Sequence, residues 1–407
     1  MTAQPSGPVA GVPVPAGDPV SPDGIAVPRG RPPRRIKAEH IRDYGIVVFA
    51  VALFIYFSIA SSVFLTSQNL LNLVFQNATI GIAACAVTLT IIAGNFDLSL
   101  GSIFVLSEVL GAWAAVHWGV WWAFPVAIFS GVVMGLINGL LVTKLHVNAF
   151  LATLATALTF SGIAVGVTHG GLLITPSSSV FTFIGQHRVA GIQYPVLIFA
   201  VVAIVLQLVL AYTVFGRHLY GVGDNSNAAR LSGLKVGRIV VITFVITGAA
   251  CGLSGLIDSS MTGSGTSDTS GLGGGLALLA IAGVALGGTS IFGGVGSVWR
   301  TVLGVLILGM ITNGFDLLAV PDYWQNIVRG ILIIFAVAIS TMIERRLAAD
   351  LLFRVALRPV RLPQLLAAVQ DARRWTSQTV AAMSSTDSAS SQPPSIHWNG
   401  QNRLAGR

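Results

Sequence analysis

Four carboxylates lie within or beside long apolar runs of this sequence: Asp97, Glu108, Asp258 and Asp316. A carboxylate at the centre of a bilayer costs about 2.5–3.5 kcal/mol on insertion scales, so such a side chain faces a polar cavity, an ion or a turn. These residues are therefore the natural candidates for proton or ion binding. No Ser-His-Asp spacing and no paired-carboxylate arrangement stands out, which argues against an enzyme.

The stretch AGNFDLSLGS, residues 93–102, places one of these carboxylates between two glycines. Asp97 and Ser99 are residue types that cap the start of a helix. Two interpretations stay open. The stretch is either a broken helix that lines a solute pathway, through Asn95, Phe96, Asp97 and Ser99, or an ordinary N-cap at a turn between two spans.

Further polar side chains lie at or near the ends of apolar runs, and Asn313, Asp316 and Trp324 are the candidates for the same pathway. Amides and aromatic faces suit a neutral polyol, through hydrogen bonds and ring stacking. A charged solute would call for a ring of side chains of one sign, and the chain has too few charges in its apolar runs to build one. Helix packing and capping remain the alternative for each residue.

A polar interlude, GRHLYGVGDNSNAARLSGLKVGR, spans residues 216–238 between two apolar runs. Asp224, Asn225 and Ser226 are N-cap types, residues 227–232 suffice for one or two helical turns, and Gly233 can end them in a left-handed conformation. The segment is either a docking helix with a small apolar knob or a capped turn between spans. The knob would consist of Ala228, Ala229 and Leu231, beside Arg230.

The composition of the chain predicts which kind of secondary structure positions these residues. The chain of 407 residues is 54% hydrophobic and 9% charged, with a mean hydropathy of +0.79, far from the roughly 25% charge of soluble domains. It is an all-α integral membrane protein. With about 20 apolar residues needed per crossing, the sequence predicts ten spans: 45–65, 77–94, 99–117, 121–143, 149–168, 192–214, 239–259, 275–291, 299–319 and 324–343.

Charge predicts the orientation of these spans, because cytoplasmic loops are enriched in Lys and Arg. Ten spans with both termini in the cytoplasm put every Lys and Arg except Arg188 and Arg329 on the cytoplasmic side. The predicted organisation is a flexible basic tail over 1–42, a transmembrane domain over 43–343 and a cytoplasmic tail over 344–407, amphipathic at first and then disordered. The basic residues do not form aromatic-interleaved patches, so nucleic acid is not a predicted partner.

Glycine patterns predict local features of the spans. Gly131, Gly135 and Gly139 form a GxxxGxxxG face, which is typical of close helix packing. The run 271–275 and the pairs 287–288 and 293–294 favour breaks in the eighth and ninth spans. Spans two to five and seven to ten could form an inverted repeat, because an offset of five helices reverses direction.

A phosphate-binding loop is missing from the sequence: GxxxxGK[ST] occurs nowhere. The chain is therefore not expected to hydrolyse ATP by itself. Cys85 and Cys251 lie in apolar runs without metal-ligand spacing, and neither a metal nor a cofactor is predicted.

Four motifs together give a resemblance. FGRHLYGVGDNSNAARLSGLKV, FDLSLGS, ALGGTSIFGGVGSVWRTVLG and TNGFDLLAVPDYWQNIVRGILIIFAVAI resemble the permease subunit of bacterial ABC importers of the ribose and monosaccharide type, which is related to branched-chain amino acid permeases. The resemblance covers residues 45–343. It implies a multi-pass protein of the bacterial inner membrane that works as a homodimer with two ATPase subunits and an extracytoplasmic sugar-binding protein.

In that family the segment matching residues 227–233 docks on the ATPase. The resemblance therefore implies a coupling role for Asn227, Ala228, Ala229, Arg230, Leu231, Ser232 and Gly233. The alternative is an ion-coupled secondary transporter or channel for a small polar solute, which works alone and uses the four carboxylates.

Overall fold

A computed structural model describes residues 38–175, 179–267, 275–321, 323–331, 334 and 338. The predicted tails lie largely outside this range. The helices are α1 (Ala38–Ala60), α2 (Ser67–Gln76), α3 (Ala78–Ile92), α4 (Leu100–His117), α5 (Val120–Thr143), α6 (Ala149–Thr168), α7 (Ser179–Gln186), α8 (Tyr194–Tyr212), α9 (Val214–Asp224), α10 (Ser226–Leu231), α11 (Val236–Thr262), α12 (Leu276–Leu286) and α13 (Val298–Leu317). Residues 323–331 are also helical.

Two short antiparallel ribbons connect loops of the helical body. β1 (Leu172–Ile174) pairs with β4 (Ser264–Thr266), and β2 (Arg188–Val189) pairs with β3 (Ile192–Gln193). The first ribbon joins the chain after α6 to the chain after α11, and it is strengthened where Thr168 Oγ1 donates to Ser267 Oγ at 2.8 Å. Because β4 also packs against α4, it brings polar backbone close to that helix.

Six described helices are long and apolar enough to cross a membrane: α4, α5, α6, α8, α11 and α13. α2 and α3 together make a seventh candidate, bent by 49°. The all-α membrane fold is therefore confirmed, whereas the number of ten crossings and the side of each terminus stay predictions. α2 was not predicted, because its polar residues lower its hydropathy below that of a span.

The predicted eighth span, 275–291, is wrong in extent. α12 ends at Leu286, where Gly287 and Gly288 follow and Gly288 has a φ of 73°. Its 11 residues cover only about 16 Å at 1.5 Å per residue, roughly half of a bilayer core. The predicted break in the ninth span is absent, because α13 runs without interruption over 20 residues. The first helix begins earlier than the predicted span 45–65, at Ala38, and it ends five residues earlier, at Ala60.

The centre of the body is the contact between α5 and α11, which we call the glycine seam. A Cβ added at Gly131 would overlap the carbonyl oxygen of Gly248, and one at Gly135 would overlap that of Phe244. Only glycine allows two helix backbones to approach this closely. The GxxxGxxxG packing prediction is therefore confirmed. α11 also packs against α3 and α4, so the seam fixes the frame on which the polar residues are mounted.

Candidate functional site

The loop between α3 and α4 buries Asp97 completely. Its Oδ1 accepts hydrogen bonds from the backbone N–H of Ser99 at 2.9 Å and from Ser99 Oγ at 2.5 Å. Ser99 Oγ in turn accepts from Asn138 Nδ2 at 2.6 Å, and the N–H of Leu98 donates to Thr153 Oγ1 at 3.1 Å. The loop is thus tied to α5 and α6 through side chains, and Asp97 serves the first turn of α4.

Burial raises the pKa of the Asp97 carboxyl to about 6, against the opposing effect of its hydrogen bonds from Ser99. Asp97 Oδ2 and Asn138 Oδ1 have no hydrogen-bond partner among the described residues. A buried oxygen without a partner disfavours a full negative charge. Asn95 and Phe96 are half-buried, and Asn95 Nδ2 donates to the Ala93 carbonyl at 3.1 Å. A pathway role for this loop stays a prediction.

The second predicted group joins α13 to its neighbours. Asn313 exchanges two amide hydrogen bonds with Asn69 of α2, at 3.0 and 2.9 Å. Asp316 Oδ1 accepts from Gln325 Nε2 at 2.8 Å. Trp324 is 51% exposed. These contacts hold the helix 323–331 and α2 against α13, and a pathway role for Asn313, Asp316 and Trp324 likewise stays a prediction.

A polar cavity of about 340 Å³ opens where α2 and α3 bend, and we call it the acidic cavity. α4 contributes Glu108 to its wall, and α11 contributes Asp258. The described residues of its lining are Gln76, Thr79, Ile80, Phe104, Val105, Glu108, Asp258, Thr266, Ser267, Leu276 and Leu279. None of these described residues is cationic, and together they present acceptors, hydroxyls and one amide beside an apolar wall.

A second cavity, of about 160 Å³, adjoins the first and shares Gln76, Ile80 and Leu279 with it. Thr312 and Arg329 border this second cavity. Arg329 Nη2 donates to Thr312 Oγ1 at 2.8 Å and to Gln325 Oε1 at 3.2 Å. The shared residues make the two cavities neighbours along one side of the α2–α3 bend.

Sequence reasoning considered Glu108 and Asp258 only as ion sites, and it missed Gln76, Thr266 and Arg329. The available signal was a carboxylate within each of two apolar spans. The missing information was that α4, α11 and α12 come together around the bend. No described group of three or more His, Cys, Asp or Glu side chains could hold a metal ion.

The interlude folds into two helices, α9 and α10, of which only α10 was predicted. Asn225 caps α10, where its Oδ1 accepts from the N–H of Ala228 at 2.9 Å, and Gly233 follows with a φ of 85°. The capped helix and its left-handed end are therefore confirmed. The knob needs a correction, because Ala229 is buried and anchors the helix, while Leu231 is 91% exposed. Asn227, Ala228, Arg230, Ser232 and Gly233 are also exposed.

Comparison with known proteins identifies relatives of most of the helical body. The family described as "Branched-chain amino acid transport system / permease component" matches residues 69–337. The xylose transport system permease protein of Haemophilus influenzae is 31% identical over 381 residues, which cover 77% of this chain and 100% of the relative. The ribose import permease protein of Escherichia coli is 34% identical over 297 residues, which cover 71% and 92%. No solved structure matches the chain.

Proposed function

The chain belongs to the family of branched-chain amino acid transport system permease components, and from its relatives we propose that it is the membrane permease subunit of a sugar ABC importer. The observation that carries the proposal is that permeases of two different pentoses match the chain over 92% or more of their own lengths. It is a multi-pass protein of the inner membrane. The transported solute is a monosaccharide or a similar neutral polyol.

ATP hydrolysis in this proposal belongs to separate ATPase subunits, and an extracytoplasmic binding protein delivers the sugar. The permease supplies the path and receives the force of ATP binding and hydrolysis. The ion-coupled alternative is not favoured, because the relatives are import permease proteins of the same family.

The exposed face of α10 is the proposed ATPase contact. Leu231 is an exposed aliphatic side chain that the described residues leave uncovered, and Arg230 beside it is exposed as well. An apolar residue flanked by a charge is suited to a groove on a partner protein. Ala229 and the Asn225 cap hold the helix in shape from the other side, so α10 can transmit a push as a unit.

The force would reach the membrane spans through the end of α9. A Cβ added at Gly223 would overlap the carbonyl oxygen of Ile92, the last residue of α3, and that oxygen accepts from the N–H of Gly294 at 2.9 Å. Tyr220 Oη also donates to the Gly296 carbonyl at 2.8 Å. A displacement of α9 therefore presses directly on the loop before α13 and on the end of α3, a helix whose first turn lines the polar cavities.

A homodimer is part of the same proposal. On α6, Gly162 and Gly166 are exposed, and a Cβ at either position would meet nothing within 4 Å. Small residues four apart on a membrane helix favour close approach of another helix. Native mass spectrometry of the extracted protein should find two copies of the chain, and a single copy after gentle extraction and crosslinking would contradict this.

The test of the proposed function is reconstitution. The tagged chain is extracted from its native membrane together with the ATPase and binding protein that co-purify, and the complex is placed in liposomes. We expect uptake of D-ribose or D-xylose that requires ATP on the cytoplasmic side and the binding protein on the other. Uptake by the chain alone, driven by an ion gradient without ATP, would overturn the proposal.

A further inference from the structure

The acidic cavity combines two features that rarely occur together inside a membrane protein. It has the volume of a small-molecule site, about 340 Å³, near the lower end of the range typical of ligand pockets. It is also lined by two carboxyl groups that come from helices far apart in the sequence, Glu108 on α4 and Asp258 on α11. Carboxyls placed in apolar spans are costly, so a ligand that uses them is a physical reason for their presence.

The two carboxyl groups differ in the hydrogen bonds that they make within the protein. Glu108 is 2% exposed, and its Oε1 accepts from the N–H of Thr266 at 3.0 Å and from Thr266 Oγ1 at 3.2 Å. One oxygen of Glu108 therefore holds β4 against α4. The Asp258 carboxylate has no hydrogen bond to any of the described residues, although its helix is packed on several sides. As a lining residue of the cavity, Asp258 is thus available to accept hydrogen bonds from a ligand there.

The remaining lining selects among ligands. Gln76, Thr79, Thr266 and Ser267 add an amide and hydroxyls, while Phe104 and the aliphatic residues form the apolar wall. A monosaccharide has this same division, with hydroxyl donors around its rim and C–H groups on its faces. An anionic sugar, such as a sugar phosphate or a sugar acid, would find no cation among the described lining residues to pair with its charge, and the cost of burying that charge would exclude it.

We propose that the acidic cavity is a solute site of the permease, in which Glu108 and Asp258 accept hydrogen bonds from the hydroxyl groups of a neutral sugar. This inference rests on the proposed function and adds to it a recognition step inside the membrane. The permease would then select its solute by itself, after the binding protein has released it, and would reject anionic sugars.

The bend between α2 and α3 and the shortness of α12 explain why a cavity exists at this place. The bend lies at Asn77, next to Gln76, and α12 begins with Leu276 and ends after 11 residues. Two interrupted helices leave a space that straight helices would fill. The adjoining cavity shares Gln76, Ile80 and Leu279, so a sugar that leaves the acidic cavity has a neighbouring space along the same bend.

The experiment uses the complete complex in liposomes with Asp258→Asn and Glu108→Gln. Both substitutions keep the shape of the side chain, and Gln at position 108 keeps an oxygen that can accept from Thr266. Uptake of D-ribose and D-xylose is measured together with the ATP hydrolysis that the loaded binding protein stimulates. Thr262→Val serves as the control, because this exposed hydroxyl lies one turn after Asp258 and outside the cavity lining.

We expect each cavity variant to lower sugar uptake about tenfold, the usual effect of losing a hydrogen bond to a charged group. Stimulated ATP hydrolysis should stay within about twofold of wild type, as it should for Thr262→Val, because the coupling helix is untouched. Fewer sugars imported per ATP is a result that mere loss of folding would not produce.

Other outcomes separate the inference from the proposed function. Normal uptake in both cavity variants, with wild type active, would overturn the inference alone. A parallel loss of uptake and ATP hydrolysis would also overturn it, because the residues would then be structural. Uptake that follows a Na⁺ gradient and loses this dependence in Asp258→Asn would assign the cavity to an ion. Failure of wild type to import either sugar with ATP would count against the proposed function itself.

Discussion

The glycine seam and α10 differ in what surrounds their residues. In the seam, Gly131 and Gly135 let α5 touch the backbone of α11, and no space is left for a single added carbon. In α10, Ala228 and Leu231 point away from the rest of the chain, and Leu231 is 91% exposed. The partner of the seam is within the same chain, whereas the described residues offer no partner for this exposed face of α10.

We therefore call the glycine seam the frame, because it is rigid, and we call α10 the lever, because it can move relative to the seam. A contact between two backbones cannot adjust by changing rotamers, so the seam makes α5 and α11 move as one body. α10 is held by one cap, one buried alanine and short turns, and it can be displaced without disrupting the core. Changes in the seam should therefore remove the folded protein, and changes in α10 should remove transport from a folded protein.

The largest expected effect comes from the double variant Gly131→Ala and Gly135→Ala. Each added methyl group would overlap a carbonyl oxygen of α11, and overpacking of this kind costs about 1–3 kcal/mol per site. We expect little or no monodisperse protein on size exclusion and a clearly lower melting temperature.

The matched control is Gly45→Ala with Gly221→Ala, two helical positions where the same two methyl groups would meet nothing within 4 Å. These changes should leave the melting temperature of the protomer nearly unchanged. If the two double variants melted alike, the seam would not be the frame of the fold.

The glycine seam shows how much of the helix packing could be predicted from the sequence. GxxxGxxxG on α5 signals that another backbone comes close, but the motif does not say which helix supplies it, and Gly248 and Gly252 of α11 became visible only in the structure. The cap of α10 was predictable, because Asn225 and Gly233 act on their own neighbours. The acidic cavity was not, because its lining comes from helices that only tertiary packing brings together.

Hydropathy also explains which elements were missed. α2 begins Ser67, Gln68, Asn69 and α9 contains Arg217 and His218, so neither reaches the mean hydropathy of a span. Both are short helices with one buried face. A search for about 20 consecutive apolar residues, the length of one membrane crossing, does not detect them. The glycine pair 287–288 predicted a break in the eighth span. It did not predict that α12 would be only 11 residues long.

A second test addresses the lever. Arg230→Glu reverses an exposed charge beside Leu231, and we expect it to reduce ATP-dependent sugar uptake at least tenfold, because a buried interfacial charge pair that loses one partner costs about 2–5 kcal/mol. The folded amount and the melting temperature should not change. Arg238→Glu, a reversal of an equally exposed charge at the start of α11, is the control. Equal uptake in the two variants would remove α10 from the ATPase contact.

A third test addresses the joint between lever and frame. Gly223→Ala would push on Ile92 and Gly294, whereas Gly221→Ala, two positions earlier in α9, meets nothing within 4 Å. We expect Gly223→Ala to lower uptake several-fold more than ATPase binding, since the lever would still dock but would sit displaced against α3. Co-purification of the ATPase and uptake are measured on the same preparations. Loss of ATPase binding in Gly223→Ala would instead show that this glycine shapes the docking surface.

The smallest expected effect decides whether the α3–α4 loop belongs to the frame. Asp97→Asn keeps the Oδ1 acceptor for Ser99 and removes a charge that burial already disfavours, so folding and uptake should stay within about twofold of wild type. Asp97→Ala removes the buried acceptor of the two Ser99 hydrogen bonds and should cost about 1 kcal/mol or more, because the Ser99 donors lose their partner. Sugar uptake that falls in Asp97→Asn at unchanged stability would place the carboxylate on the solute pathway instead.

The pH dependence of stability gives an independent reading of the same residue. The folded protein raises the pKa of Asp97 from 3.8 to about 6, so between these values the folded state binds more protons than the unfolded state. Stability from this group is therefore present at low pH and is lost as the pH rises through that interval. Relative to Asp97→Asn, the melting temperature of wild type should fall between pH ~4 and ~6 and then level off. A difference in melting temperature between the two proteins that stays constant across this interval would mean that the carboxylate reaches water. Asp97 would then belong to the solute pathway and not to the frame.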